Sequence, residues 1–396
     1  MQVDRERLWE HEKVLCVEIG PRLSGTPADE RTVEYIAAHF KRCGAEVEVQ
    51  DYDCPGWEHE GTELTLLAEG GPQALPAFAQ TFSEACDVEA ELAVVGTRHE
   101  LEFRPDLEGK VIVLEGEVGG PQAANRNSTL LAVEERKPLA IIVVDQIDDV
   151  STKLLRDPFL RVPGAAVGPS VGAVLKRNAG RLARLRIRAR RYDSTSHNVI
   201  GHLPGSEPGR IVIGAHYDTA AESPGAGDDG GGTAAVLELC EVFSGARERR
   251  LGIDFIAFGA EEYGRHLRAL GSVEYVRRHW AEVLQTQAML QADGIGIAGA
   301  GISAHVMGWH PAQAEQILRI LAQIPDCAAD QKPETGSDHV PFYLHNVPAI
   351  LFGCVRRGLP IHSAADTIDK MGRDDLAAAA QAIGAVAEHL TRTLRD

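Results

Sequence analysis

The sequence lacks any long apolar run. No stretch approaches the roughly 18 uninterrupted apolar residues of a membrane-spanning helix, so we expect no membrane partner. The first residues, MQVDRERLWEHEKVL, are charged and lack the apolar core of a secretory signal. Seven cysteines are scattered along the chain, and none forms a C-x-x-C pair. Because an odd set of separated thiols does not make a disulfide framework, these absences predict a cytoplasmic protein with reduced cysteines.

The chain also has no excess of positive charge. Lysine and arginine number 40 against 58 acidic residues, which gives a formal charge of -18. Binding to a nucleic-acid backbone relies on a basic surface, so we expect no nucleic-acid partner. The 396 residues are 44% hydrophobic, which is enough for a large core divided between about two domains. No period of about 20–50 residues recurs, which argues against a solenoid.

The hydrophobic patterns predict an α/β fold with an insertion. Helices over Arg5–Glu18 and Glu30–Cys43 precede an alternating strand, AEVEVQDYD, and strands alternate with helices again from Ser196 onward. This order predicts a mixed, mostly parallel central sheet flanked by helices. Residues 56–191 have strand-rich texture with one helix near Ser128–Arg136. If AEVEVQDYD pairs with HNVIGHL, residues 1–55 and 192–396 form one discontinuous domain, and 56–191 are an inserted β-rich domain.

Histidine and carboxylate residues cluster where predicted strands end. In IVIGAHYDT, His216 and Asp218 lie two residues apart and project from the same face of a strand. His216 can bind a metal ion, while Asp218 holds its other ring nitrogen and fixes the tautomer. In GAGDDGGG, the glycines permit a tight turn that brings Asp228 and Asp229 to the start of a helix. Two carboxylates there favour a cation over a phosphate.

Two further strands and a late segment add to this set. The apolar strand GIDFIAFGA delivers Glu261 and Glu262, of which one can be a ligand and the other a general base. QAMLQADGIG ends on Asp293, and IHSAADT contributes His362. Open α/β sheets bind ligands outside the carboxyl ends of their strands. Imidazole and carboxylate ligands without thiolate suit zinc, with manganese or cobalt as substitutes, and a bridging carboxylate permits two ions.

The order of these motifs resembles the co-catalytic dizinc aminopeptidase family, whose relatives include glutamate carboxypeptidases and glutaminyl cyclases. The likeness extends to GPRLSGTPADE, GSVEY, GSDHVPFYLHNVPAIL and HSAADT, and it covers about residues 10–55 and 195–390. The inserted stretch resembles a protease-associated domain. The resemblance therefore implies the zinc-exopeptidase type of α/β fold, with a protease-associated-like insertion.

The resemblance also implies roles for single residues. Asp228 would bridge two zinc ions. His216 and Asp293 would complete one site, and Glu262 and His362 the other. Two residues beside these ligands would assist them: Glu261 as the general base that takes a proton from a bridging water, and Asp218 as the residue that orients His216.

The sequence departs from the family pattern in two places, and its substrate residues are less defined. Gly294 follows Asp293 where a methionine is common, and EEYGRHLRALGS is longer than the family's tight spacing. From SDHVPFY, His339 or Tyr343 is a candidate hydrogen-bond donor to the oxyanion. The alternative for His339 is a buried hydrogen-bonded pair with Asp338.

The leading functional hypothesis is an aminopeptidase that acts on small peptides or aminoacyl amides. A carboxypeptidase or an N-acyl amino acid amidohydrolase is the first alternative, and it would require cationic anchors for a carboxylate. The candidate anchors are Arg265, Arg268, Arg356 and Arg357. A single-zinc glutaminyl cyclase is the second alternative. A catalytically silent binding protein is the third, although no ligand or base is missing. Subunit number stays open, with a homo-oligomer among the options.

Overall fold

The computed structural model describes residues 2–120, 127–155, 157–245, 249–263, 269–355 and 360–393. We number the helices and strands of these described segments in chain order. The α-helices are α1 (Arg5–Lys13), α2 (Pro27–Arg42), α3 (Arg98–Phe103), α4 (Asn127–Glu135), α5 (Pro169–Arg177), α6 (Gly231–Ser244), α7 (Leu270–Arg278), α8 (Trp280–Val283), α9 (Pro311–Leu321), α10 (His339–Leu344) and α11 (Arg373–Thr393). A π-helical turn, Val14–Ile19, continues α1.

The strands are β1 (Glu46–Ala68), β2 (Gly71–Leu75), β3 (Phe78–Ala79), β4 (Cys86–Val95), β5 (Val111–Leu114), β6 (Ala140–Val144), β7 (Gly164–Val167), β8 (Leu182–Leu203), β9 (Arg210–His216), β10 (Gly252–Phe258), β11 (Thr286–Ala292), β12 (Ile302–Met307), β13 (Cys327–Asp330) and β14 (Ala349–Cys354). They form one sheet in the order β13-β12-β14-β11-β9-β10-β8-β4-β5-β6-β7-β3, with β1 paired to β8 and β2.

The centre of the sheet is parallel. β9 lies between β10 and β11 and runs parallel to both, and β14 continues the parallel run beyond β11. β8 and β12 flank this run as antiparallel neighbours. The predicted mixed, mostly parallel sheet is therefore confirmed.

Helices cover both faces of the parallel strands because these strands bury residues on both sides. Ile211 and Ile213 of β9 pack in a cluster with residues of α2, α6 and α11. Val212, which points the other way, packs in a separate cluster with residues of α7 and α10. All seven residues of β10 are buried. None of the described helices combines the length and apolar character needed to cross a membrane.

β1 and β8 pair antiparallel along almost their whole length. Val47 pairs with Gly201 and Asp53 with Thr195, so AEVEVQDYD lies beside HNVIGHL. Farther along the same two strands, Leu66 pairs with Ala183. The hypothesis that residues 56–191 are an insertion required AEVEVQDYD to pair with HNVIGHL, and this pairing is present. The division of the chain into domains at residues 55 and 191 stays a prediction.

Residues 56–191 contain more helix than the sequence pattern predicts. The expected helix near Ser128–Arg136 is α4, but α3 and α5 also flank the parallel strands β4 to β7. The six residues of α3 are too few to show a helical period, and a capping box between Thr97 and Glu100 starts the helix. Pro169 lies in the first turn of α5, where its fixed backbone angle favours the start of a helix.

Candidate metal centre and catalytic site

Three neighbouring parallel strands carry the candidate ligands at their carboxyl ends. His216 is the last residue of β9. Glu261 and Glu262 follow β10, and Asp293 follows β11. Because parallel strands end at the same edge of a sheet, the fold brings these side chains to one place. The sequence motifs at these three strand ends therefore lie together in space.

His216 is fully buried and has a partner at each ring nitrogen. Its Nε2 lies 3.0 Å from Oδ1 of Asp228. Its Nδ1 lies 3.1 Å from the backbone oxygen of Asp218 and 3.5 Å from the carboxylate of the same residue. Burial alone lowers the pKa of His216, but the hydrogen bonds with Asp218 and Asp228 raise that pKa well above its ordinary value.

The Asp218 carboxylate also holds the backbone of both glutamates. The N–H of Glu261 donates to Oδ1 of Asp218 at 3.0 Å, and the N–H of Glu262 donates to Oδ2 at 3.2 Å. The preceding residue, Ala260, has φ of 53°, which turns the chain sharply out of β10. Asp218 therefore fixes the position of the glutamate pair relative to His216. The sequence predicted only its contact with His216.

A glycine-rich loop places Asp228 between the two histidines. A side chain on Gly225, at φ of 61°, would lie 2.2 Å from Thr219 and 2.7 Å from the backbone oxygen of Asp228, so only glycine fits there. The backbone N–H groups of Gly227 and Asp228 donate to the Asp366 carboxylate at 2.7 and 3.1 Å. The sequence analysis did not single out Asp366, although it lies in the HSAADT motif.

Asp229 follows Asp228 through a cis peptide bond. It is fully buried, and its Oδ1 accepts N–H donors from Gly232 at 3.0 Å and Gly294 at 3.1 Å. Burial raises the pKa of Asp229 well above its ordinary value. Asp229 thus connects the start of α6 with the segment after Asp293.

His362 approaches Asp228 from the opposite side to His216. Its Nε2 lies 2.7 Å from Oδ2 of Asp228 and 3.5 Å from Oε1 of Glu262. Burial raises the pKa of Asp228, but His362 and His216 outweigh that effect and hold the pKa well below its usual range. Asp228 is therefore the charged centre of the cluster.

The ligand atoms form two groups that share Asp228. One group is His216, Asp228 and Asp293, and the other is Asp228, Glu262 and His362; in each group the atoms lie within 4.8 Å of one another. Imidazole nitrogen and carboxylate oxygen are donors that zinc accepts. The residues at this edge of the sheet thus fit a pair of divalent cations that share one carboxylate.

A lysine from the residue 56–191 segment reaches this cluster. The side chain of Lys153 is only 7% exposed, and its Nζ lies 3.6 Å from Oε2 of Glu261 and in contact with Glu262. The same atom lies 3.3 Å from Nε2 of His362. The neighbouring Thr152 donates from its backbone N–H to the His362 oxygen at 2.9 Å. Sequence reasoning missed Lys153 because more than 60 residues separate it from the nearest motif.

A buried arginine holds the loop that connects His216 with Asp228. Arg22, in the GPRLSG motif, is fully buried and donates from Nε to the Tyr217 oxygen at 2.5 Å. Its other nitrogens donate to the oxygens of Pro224 at 2.7 Å and Gly225 at 3.1 Å. The sequence flagged this motif by resemblance alone. The structure shows that its arginine holds both ends of the loop between His216 and Asp228.

The two residues predicted to donate to the oxyanion, His339 and Tyr343, have their described contacts with residues outside the two ligand groups. His339 is buried, and its Nε2 lies 2.8 Å from the Glu334 oxygen. The predicted alternative, a hydrogen-bonded pair with Asp338, is not formed, because Nε2 of His339 is taken by the Glu334 oxygen and its Nδ1 is buried without a hydrogen-bond partner among the described residues. Tyr343 is half-buried and packs beside Gly308. The arginines proposed as carboxylate anchors, Arg265, Arg268, Arg356 and Arg357, lie outside the described residues.

Comparisons with known proteins agree with this geometry. Residues 198–387 match the family model described as Peptidase family M28. Aminopeptidase YwaD of Bacillus subtilis is 27% identical over 83% of this chain and 71% of its own length. Carboxypeptidase Q of Bos taurus is 27% identical over 73% of this chain, which spans only 65% of that relative. In fold, the chain is similar to BSAP, a zinc aminopeptidase from Bacillus subtilis, with a TM-score of 0.82, 24% identity and coverage of 99% and 97% of the two chains.

Proposed function

We propose that the chain, whose residues 198–387 match the model of Peptidase family M28, belongs to that family and is a metal-dependent aminopeptidase that hydrolyses the N-terminal bond of small peptides. The observation that supports this most is the pair of ligand groups sharing Asp228, with Glu261 beside them. Such a pair suits hydrolysis of an amide, because two cations and a nearby base act on the same water.

In this proposal each residue has one role. His216, Asp228 and Asp293 would hold one zinc ion, and Asp228, Glu262 and His362 the other; manganese and cobalt are substitutes. When bound, the metal ions would polarise the scissile carbonyl and lower the pKa of the attacking water. Glu261 would accept the proton of that water and return it to the leaving amine. Asp218 would keep Glu261 and Glu262 in position through their backbone N–H groups.

An apolar cavity beside Glu261 supports a preference for apolar N-terminal residues. The cavity has a volume of about 500 Å³ and is lined by Ala269, Val273, Val276 and Trp280 among others. The N–H of Ala269 donates to the backbone oxygen of Glu261 at 3.4 Å, so one wall of the cavity is joined to the backbone of the residue proposed as the base. An apolar substrate side chain would gain free energy by leaving water there.

The test is product analysis by mass spectrometry on a pool of free, N-blocked and C-amidated short peptides, with and without a chelator. The proposal predicts release of single N-terminal residues from unblocked peptides only, lost with the chelator and restored by Zn²⁺. Cleavage confined to blocked peptides or to C-terminal residues would contradict it. Formation of pyroglutamate without hydrolysis would favour a glutaminyl cyclase instead.

Lys153 favours a second candidate function, in which the substrate must carry a free C-terminal carboxylate. The proposed carboxypeptidase alternative needs a cationic anchor near the ligands, and the Lys153 ammonium lies among them. Bound cations would repel this ammonium, whereas a substrate carboxylate would attract it. This second candidate is a carboxypeptidase or dipeptidase on the same metal ligands.

A Lys153→Met variant separates the two functions. If Lys153 binds a carboxylate, KM should rise for a dipeptide with a free carboxyl and stay constant for the same dipeptide as its amide. Lys176→Met, on the exposed side of α5, is the matched control from the same segment. Equal effects of Lys153→Met on both substrates would rule out the carboxylate role.

We also propose that residues 56–191 are an inserted, protease-associated-like domain that limits substrate length. Two contacts support this: Thr152 donates from Oγ1 to the Ala221 oxygen at 2.6 Å and from its N–H to the His362 oxygen at 2.9 Å. The loop that carries Thr152 is itself held by Gln80, whose side chain bonds to Ser151 and Leu154. We also propose a cytoplasmic location, which the scattered cysteines without a C-x-x-C pair support.

A further inference from the structure

A second cluster of metal-binding side chains lies between α2 and α6, on the side of the sheet covered by these helices. It consists of His39 and Cys43 from α2 and its cap, and Glu241 from α6. His39, Cys43 and Glu241 each offer one ligand atom, and these atoms lie within 4.8 Å of one another. The proposed catalytic function uses none of these residues.

The distances within the cluster match those between ligands of one small cation. Sγ of Cys43 lies 3.3 Å from Nε2 of His39 and 3.2 Å from Oε2 of Glu241. Bonds of about 2.0–2.3 Å from zinc to nitrogen, oxygen and sulfur place tetrahedral ligands at such separations.

The spacing along the helices explains why these groups meet. His39 and Cys43 lie four residues apart, so they occupy the same face of α2 near its end. Glu241 lies on α6, which packs beside α2 in the same core cluster. His39 is buried, whereas Cys43 and Glu241 are half-exposed, so an ion can enter from solvent.

We propose that His39, Cys43 and Glu241 bind one zinc ion, through one imidazole, one thiolate and one carboxylate. Cys43 loses its thiol proton to solvent on binding, because the thiolate is the ligand. At present Nε2 of His39 lies 3.0 Å from the Leu237 oxygen, and Arg42 lies 3.3 Å from Nδ1. Binding at Nε2 would break the hydrogen bond to the Leu237 oxygen and leave the ring hydrogen on Nδ1, so the Arg42 guanidinium would have to turn away from Nδ1.

Such an ion would join α2 to α6 without taking part in peptide hydrolysis. α6 begins directly after Asp228 and Asp229, so the ion would stabilise the helix that follows the catalytic loop. Donors that include a thiolate favour a soft or borderline cation such as zinc over magnesium or calcium. The proposed catalytic ligands contain no sulfur, so the two kinds of site can be told apart spectroscopically.

The experiment is a titration of the reduced, metal-free protein with Co²⁺, followed by near-ultraviolet absorption. A thiolate ligand gives cobalt a charge-transfer band that carboxylate and imidazole ligands do not give. We expect a band that saturates at one ion per chain, disappears in Cys43→Ser and persists in Cys327→Ser, a half-buried cysteine outside the cluster. Peptidase activity with zinc should be the same in both variants and in the unchanged protein.

Glu241→Gln is a second variant in case Cys43→Ser fails to fold, since Glu241 is half-exposed. It should keep the band but weaken cobalt affinity at least several-fold. Absence of the band in the unchanged protein would overturn the proposal, as would its persistence in a folded Cys43→Ser or its loss in Cys327→Ser. None of these results depends on peptide hydrolysis, so failure of this site and failure of the proposed function are distinguishable.

Discussion

Replacing Asp218 by asparagine tests how the catalytic site is held together. The Asp218 carboxylate accepts the N–H groups of Glu261 at 3.0 Å and Glu262 at 3.2 Å, one on each oxygen. An asparagine side chain has one oxygen, so one of these buried N–H groups would face an amide NH₂ group. Leaving a buried N–H without an acceptor costs about 1–3 kcal/mol.

This cost should appear in catalysis and in metal binding. We expect kcat/KM for an aminoacyl amide to fall by about 10–100-fold, which is the usual effect of losing a residue that orients metal ligands. Zinc affinity, measured by competition with a chelator, should fall by a similar order. The rate loss should persist at saturating zinc, because the position of Glu261 changes as well.

Asp254→Asn is the matched control. Asp254 is also buried, but it lies within β10 away from the catalytic end and pairs with Arg210 at 3.0 Å and His202 at 2.5 Å. This variant should unfold at lower urea concentration and keep its kcat/KM and zinc affinity. If Asp218→Asn remains within about twofold of the unchanged protein in both measurements, the account of Asp218 is refuted.

Two further predictions concern folding stability. Arg22→Met should lower the free energy of unfolding by about 3–5 kcal/mol in urea titrations, because it breaks a buried hydrogen-bond network. The control, Arg31→Met on the exposed side of α2, should change the free energy of unfolding by under about 0.5 kcal/mol. Equal effects of the two substitutions would contradict the role of Arg22. Burial raises the pKa of Asp29 to about 7, so between about pH 4 and 7 the folded protein holds a proton that the unfolded chain has lost. Its stability relative to Asp29→Asn should therefore fall as pH rises through that range, by up to about 4 kcal/mol, and a constant difference across the range would refute this.

Much of the fold and of the ligand set follows from local sequence. The ends of β9, β10 and β11 were visible as apolar runs that stop at His216, Glu261 and Asp293, and parallel strands bring such ends together. The glycines around Asp228 marked a tight turn, because glycine adopts backbone conformations that other residues avoid.

What the sequence did not predict depends on contacts between distant segments. Lys153 reaches the ligands through a loop that packs on His362, and no local pattern marks it. Arg22 bonds to backbone oxygens of residues about 200 positions away, which have no side-chain signature. α3 was missed because a six-residue helix contains less than two helical turns.

The most direct test of the central claim is the zinc content and turnover of Glu261→Gln, measured in a Cys43→Ser background so that the helix site contributes no ion. The account predicts two zinc ions per chain, as in the Cys43→Ser protein itself, and kcat lower by about 10²–10⁴-fold, because the ligands remain while the base is lost. Full activity in Glu261→Gln, or loss of activity only in proportion to lost zinc, would contradict the assignment of Glu261 as the base.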